Sequence, residues 1–194
     1  LLLLLNLQKT IILKTFSDND KELDEIYKEE INIINKRKNF VNYQRLFNKS
    51  YYILTKYGHI RNKKEELKFD GILESEYMKN ENLADSLLSK IHFYQVFLYH
   101  SVSKMNFTEA LKYTTKSIEL FETSEPFLKT HLDKYLSIYQ NHILQYYYLE
   151  RYPEVESSSQ KLLTLLNNRK LSIPERLKFY SAGKILCIRF VSFI

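Results

Sequence analysis

Two stretches of this chain align on each other at a shift of 45 residues, without a gap. Leu83 falls on Leu128, Leu87 on Leu132, Ile91 on Leu136, Tyr94-Gln95 on Tyr139-Gln140 and Leu98 on Ile143. Beyond the Met105-Asn106 turn the register holds: Phe107 meets Tyr152, Glu109 meets Glu154, Ala110 meets Val155, Ile118 meets Leu163 and Leu120 meets Leu165. Amphipathic helices that merely share a pattern would match along one helix and slip at the turn. A match that survives the turn marks an internal repeat whose unit is helix, turn, helix. Such units bury their apolar faces only against neighbours, so the sequence predicts a stacked array of helix pairs.

The rest of the chain agrees with a wholly helical reading. Among 194 residues there are three glycines and three prolines, too few for the many tight turns of a β domain of this length. Apolar residues at three- and four-residue spacing predict helices over 20–37 (Leu23, Ile26, Tyr27, Ile31, Ile34) and 40–57 (Tyr43, Leu46, Phe47, Ser50, Leu54). Further helices are expected at 60–79, 83–104, 107–121, 126–150 and 152–167, with a last one starting near Ser172. Ser17 and the acids after it suit the first helix start, and Lys36-Arg37-Lys38 suits its end. Gly58 suits the end of the second. Pro126, Pro153 and Pro174 all fall in predicted first turns, where a missing N–H costs nothing. The 60–79 helix carries Gly71 inside it, worth about 1 kcal/mol against Ala.

Asn106-Phe107-Thr108-Glu109-Ala110-Leu111-Lys112-Tyr113, followed by Ser117, Ile118, Glu119 and Leu120, resembles the second helix of a tetratricopeptide repeat. An aromatic residue opens it, and the small residues Ala110 and Ser117 allow close helix approach. The resemblance implies an α-solenoid of stacked antiparallel helix pairs, with clearest repeats at 83–122 and 126–167 and less regular helices over 1–80. The departures are a longer period than the usual ~34 residues, and Val155 and Leu162 in place of Ala110 and Ser117. The composition is similar to that of helical-repeat proteins from AT-rich bacteria of the Bacteroidetes type.

The resemblance also implies a concave surface, lined by the first helix of each pair, that takes a protein or peptide. Lys90, Tyr94 and Gln95 on one first helix, and Tyr135, Tyr139 and Gln140 on the next, are the candidate groove residues. The chain has 16 tyrosines, and aromatics with a polar tip serve both packing and recognition. Those on the packed faces belong to the core, so only some can line a groove.

No catalytic or metal constellation is read from the sequence. The five histidines (His59, His92, His100, His131, His142) form no His-Glu-x-x-His pattern, and His142 lies on an apolar stripe as a core residue. No Gly-rich phosphate loop or Gly-x-Ser-x-Gly elbow is present. Glu29-Glu30 and Glu65-Glu66 read as solvated charges, and the lone Cys187, among Ile and Leu, as a small buried hydrophobe. Neither an enzyme nor a cofactor is expected.

Charge is unevenly placed within a net +6. Residues 18–30 hold seven acids against two lysines, whereas 36–68 hold ten Lys/Arg against Glu65 and Glu66. The basic stretch makes nucleic acid a weaker alternative to a protein partner. A regulatory segment of a larger signalling or transcription protein is the other alternative. The start at Leu1 and the apolar Phe190–Ile194 end read as cut, so a fragment of a longer chain is expected. Leu1–Leu5 falls far short of the ~20 apolar residues of a membrane span. A cytoplasmic location is expected, with envelope association the alternative if that run is a signal-peptide remnant.

Overall fold

Helix formation dominates because hardly anything in the chain interrupts it. The computed structural model describes residues 1–14 and 20–168, which contain eight α-helices and no strand. They are α1 (Leu2–Lys14), α2 (Asp20–Tyr57), α3 (Lys63–Leu73), α4 (Leu87–Ser103), α5 (Phe107–Glu122), α6 (Glu125–Thr130), α7 (Leu132–Tyr148) and α8 (Tyr152–Asn168). Two single 3₁₀ turns, Glu76–Met78 and Glu81–Leu83, lie between α3 and α4. Ser17, Pro174, Cys187, the helix expected from Ser172 and the apolar end fall outside the described residues.

Several predicted boundaries need correction. The helices expected at 20–37 and 40–57 are one helix of 38 residues. Lys36-Arg37-Lys38 is compatible with a helix end but is not a breaker, and no Gly, Pro or capping side chain stops the backbone there. Gly58, at φ +64°, does close this helix, and its N–H donates to the Leu54 carbonyl at 2.8 Å. The helix expected over 60–79 is confined to α3 between the Asn62 cap, which accepts from the Glu65 N–H at 3.0 Å, and Leu73. Beyond it Ser75, at φ −55° and ψ 139°, leaves the helical conformation. Gly71 sits inside α3 with open space where a Cβ would lie, so packing does not require it. The helix expected from Leu83 starts at Leu87 instead, behind the Ser86 side chain, which accepts from the Ser89 N–H. The 126–150 helix is broken at His131 (φ −123°, ψ 35°) into α6 and α7. The Ser124 side chain caps α6, and Pro126 lies in its first turn.

The 45-residue spacing recurs in the backbone. α4 and α7 are 17 residues each, and their bounds differ by 45 at both ends. α5 and α8 begin 45 apart. Between them, Met105 (φ 57°) and Glu150 (φ 58°) both take the left-handed conformation. The Asn106 N–H donates to the Ser101 carbonyl at 2.9 Å, and the Arg151 N–H to that of Tyr146 at 3.0 Å. The Met105 N–H to Val102 and the Glu150 N–H to Tyr147 are each 3.0 Å. Both turns are thus Schellman closures, which satisfy the last carbonyls of a helix and aim the chain back along it.

Packing runs from neighbour to neighbour. α4 lies against α2 and α5, α5 against α7, and α7 against α8. Two apolar cores result. Tyr43, Leu46, Phe69, Ile72, Phe93 and Val96 fill the one among α2, α3 and α4. Phe121, Tyr135, Leu136, Ile138, Ile143 and Val155 fill the one among α5, α7 and α8. Leu120 packs against both. Ala110 and Ser117 are wholly or almost wholly buried, as are Val155 and Leu162 at the equivalent places. The stripe read over 20–37 is the misjudged one: Ile26 is buried, but Tyr27, Ile31 and Ile34 are exposed.

Candidate functional site

The candidate residues divide by burial. Tyr94, Tyr135 and Tyr139 are 6%, 1% and 4% exposed, so their rings belong to the two cores and cannot line an open groove. The expectation for these three is corrected: they point along the packed side of α4 and α7, where the apolar stripe places them. Lys90, Gln95 and Gln140 are only half-buried. Gln95 is engaged by His92, with Oε1 3.1 Å from Nδ1. Gln140 Nε2 is buried without a hydrogen-bond partner among the described residues.

The buried tyrosines still reach the surface through their hydroxyls. Tyr94 donates to Glu81 Oε2 at 3.1 Å, and Tyr135 donates to Glu122 Oε1 at 2.9 Å. A lysine completes each group. Lys116 Nζ lies 3.2 Å from Glu81 Oε2 and 5.2 Å from the Tyr94 ring centroid. Lys161 Nζ lies 3.3 Å from Glu122 Oε1 and 5.8 Å from the Tyr139 ring centroid. Lys116 and Lys161 are 45 apart, as are Tyr94 and Tyr139. The carboxylates are not: position 126, opposite Glu81, is Pro, and the second acid comes from the end of α5. Sequence reading could have found the two lysines from the shift, but not the acids, because the fold supplies them from unrelated places.

Burial and neighbouring charge shift three of these groups, Tyr94, Tyr139 and Glu81. Burial, with the Glu81 carboxylate beside it, pushes the Tyr94 hydroxyl up to about 12. Burial also raises Tyr139. Lys116, by its hydrogen bond, holds Glu81 below the usual carboxylate range, with the Tyr94 hydroxyl and Lys90 adding to this. Tyr94 and Tyr139 are therefore held as hydroxyl donors and Glu81 as an anion at neutral pH. The four charged side chains remain 39–60% exposed, so their pairs are weak and open to exchange with a partner. Each cluster presents a cation and a carboxylate at the surface beside a buried tyrosine ring.

His92 and His142 are packing elements. His92 lies among Phe40, Phe47 and Gln95, and burial, with Lys134 nearby, lowers it to about 4. His142 shares a 2.9 Å hydrogen bond with the Thr114 hydroxyl, and burial lowers it to about 4 as well. Among the described residues no three of His, Cys, Asp and Glu converge on a point that could hold a metal. No described helix is long and apolar enough to cross a membrane.

The basic stretch 36–68 divides between two helices. Lys36, Arg37, Lys38, Arg45, Lys49 and Lys56 belong to α2, and Lys63, Lys64 and Lys68 to α3. On the α3 side Glu66 pairs with Lys63 at 3.0 Å and Lys104 at 2.9 Å. Their hydrogen bonds, Lys104 first, hold the Glu66 carboxyl at about 2. Lys68 donates to the Tyr57 hydroxyl. Comparison with known protein families, curated proteins and solved structures gives no match.

Proposed function

We propose that this chain is a binding scaffold, a tetratricopeptide-like solenoid of antiparallel helix pairs that holds a protein or peptide. The recurrence of helix bounds, left-handed turn and Lys–Tyr pair at 45-residue spacing carries the reading, with a carboxylate joining each pair from a different place in the chain. Stacked units of one geometry repeat the same side-chain chemistry along a surface, which suits an extended, multivalent contact rather than a single reaction centre. Lys116 and Lys161 supply two cations on one spacing, Glu81 and Glu122 supply anions, and Lys90 lies close enough to Glu81 to act on its charge. The partner that fits is an extended peptide with carboxylates that draw the lysines away from their intramolecular acids.

A peptide array probed with the purified chain tests this. Binders are expected to be acidic, and Lys116→Glu with Lys161→Glu together should weaken them at least tenfold. The melting temperature should change little, because exposed ion pairs contribute little to stability. Binders insensitive to both reversals would place the contact elsewhere and sink the assignment of these residues.

A further inference from the structure

The feature of this molecule that the scaffold reading leaves unused is the outer face of α2. Asp20, Asp24, Tyr27, Ile31, Ile34, Lys38, Val41, Arg45 and Tyr52 recur at alternating spacings of three and four, with one seven-residue step, and so form a single stripe along a helix about 57 Å long. All are exposed, including the apolar ones: Tyr27 44%, Ile31 58%, Ile34 51%, Val41 45% and Tyr52 59%. The opposite face, through Tyr43, Leu46, Ser50 and Ile53, is the one buried in the fold. The stripe is polarised. Its N-terminal end carries Asp20 and Asp24, its centre is apolar, and its C-terminal end carries Lys38, Arg45, Lys49 and Lys56. Beside the cationic end a shallow cavity of about 490 Å³ is lined by Val41, Gln44, Arg45, Asn48, Lys49 and Tyr52. α1 leaves this stripe open: Lys9 pairs with Glu30 at 2.7 Å and sits 4.8 Å from the Tyr27 ring centroid, yet Tyr27 keeps nearly half its surface in water.

We infer that α2 pairs with α2 of a second copy, antiparallel about a two-fold axis near Ile34. A stripe with acids at one end and bases at the other is complementary to itself when reversed, as an isologous interface requires. The pairing sets Ile34 beside its twin, Tyr27 by the partner's Val41, and Asp24 by the partner's Arg45. Tyr27 then enters the cavity beside Val41. A foreign partner of one charge sign would satisfy one end and oppose the other. Opposite charges flanking an apolar seam fix orientation as they do in coiled coils.

Sedimentation velocity over a concentration series tests the pairing, with Cys187→Ser as the background for cross-linking. A monomer–dimer equilibrium is expected. Arg45→Asp alone should weaken it at least tenfold, and adding Asp24→Arg should restore it, since the swap returns an opposite pair. Ile34→Cys should cross-link to its twin under mild oxidation while Lys64→Cys, on α3, should not. A monomer at about 0.1 mM, or a dimer indifferent to the swap, overturns the inference. So does a monomer that retards RNA or DNA through the same basic end.

Discussion

His92 and His142 show how a single residue ties this fold to pH. Each is buried neutral, and burial lowers its pKa from 6.5 to about 4. The unfolded chain takes up a proton near 6.5, whereas the folded chain resists until about 4. Their contribution is therefore full above about 6.5, declines as pH falls towards 4 and is flat below. The fall corresponds to about 3 kcal/mol per histidine at most. Urea midpoints at pH 7 and pH 5 measure it, and His92→Gln or His142→Gln should each flatten the dependence. An unchanged slope in both variants would mean that other groups dominate. The helix stripe placed His142 in the core, but only its neighbours show that Thr114 meets its ring.

At the scale of elements, the two turns after α4 and α7 stand out, because each puts a side chain where glycine belongs. Met105 and Glu150 both hold positive φ. For an L residue that conformation costs roughly 1–2 kcal/mol, of which glycine recovers part after its greater loss of freedom on folding. Met105→Gly and Glu150→Gly should each raise stability by about 0.5–1 kcal/mol, additively in chemical melts because the sites are remote. A loss in either would mean that the side chain contributes contacts beyond the turn. The first turn was legible at Met105-Asn106, and the Asn106 side chain caps α5 by accepting from the Glu109 N–H at 3.1 Å. The left-handed residue of each turn was not, since neither Met nor Glu signals it. The break at His131 was equally hidden, because it carries no Gly or Pro to signal it.

At the largest scale, the division of the described residues between two apolar cores has a mechanical consequence. Phe69 sits in the α2–α3–α4 core and Phe121 in the α5–α7–α8 core, both with no exposure. Truncating either to Ala should cost about 3–5 kcal/mol. Hydrogen exchange should localise the damage: Phe121→Ala should speed opening in α7 and α8 more than in α3, and Phe69→Ala the reverse. Uniform acceleration in both variants would show one cooperative block in place of a linear array. α2 stands apart in this picture, because it serves the first core with one face and leaves the other to solvent.

The sequence by itself determined that the described residues are helical, where α2, α5, α6 and α8 begin, and at what spacing one backbone geometry returns. These follow from local chemistry: periodicity, caps, prolines at first turns and a register unbroken across a turn. Tertiary structure alone decided which stripes are covered. Periodicity places Tyr27, Ile31 and Ile34 on one face as surely as it does Tyr43 and Leu46, yet only the second face meets another helix. It likewise puts Tyr94 and Tyr139 on matching positions without telling groove from core. Burial belongs to a residue's neighbours, and the acids that meet Tyr94 and Tyr135, Glu81 and Glu122, come from positions that no single repeat unit shares.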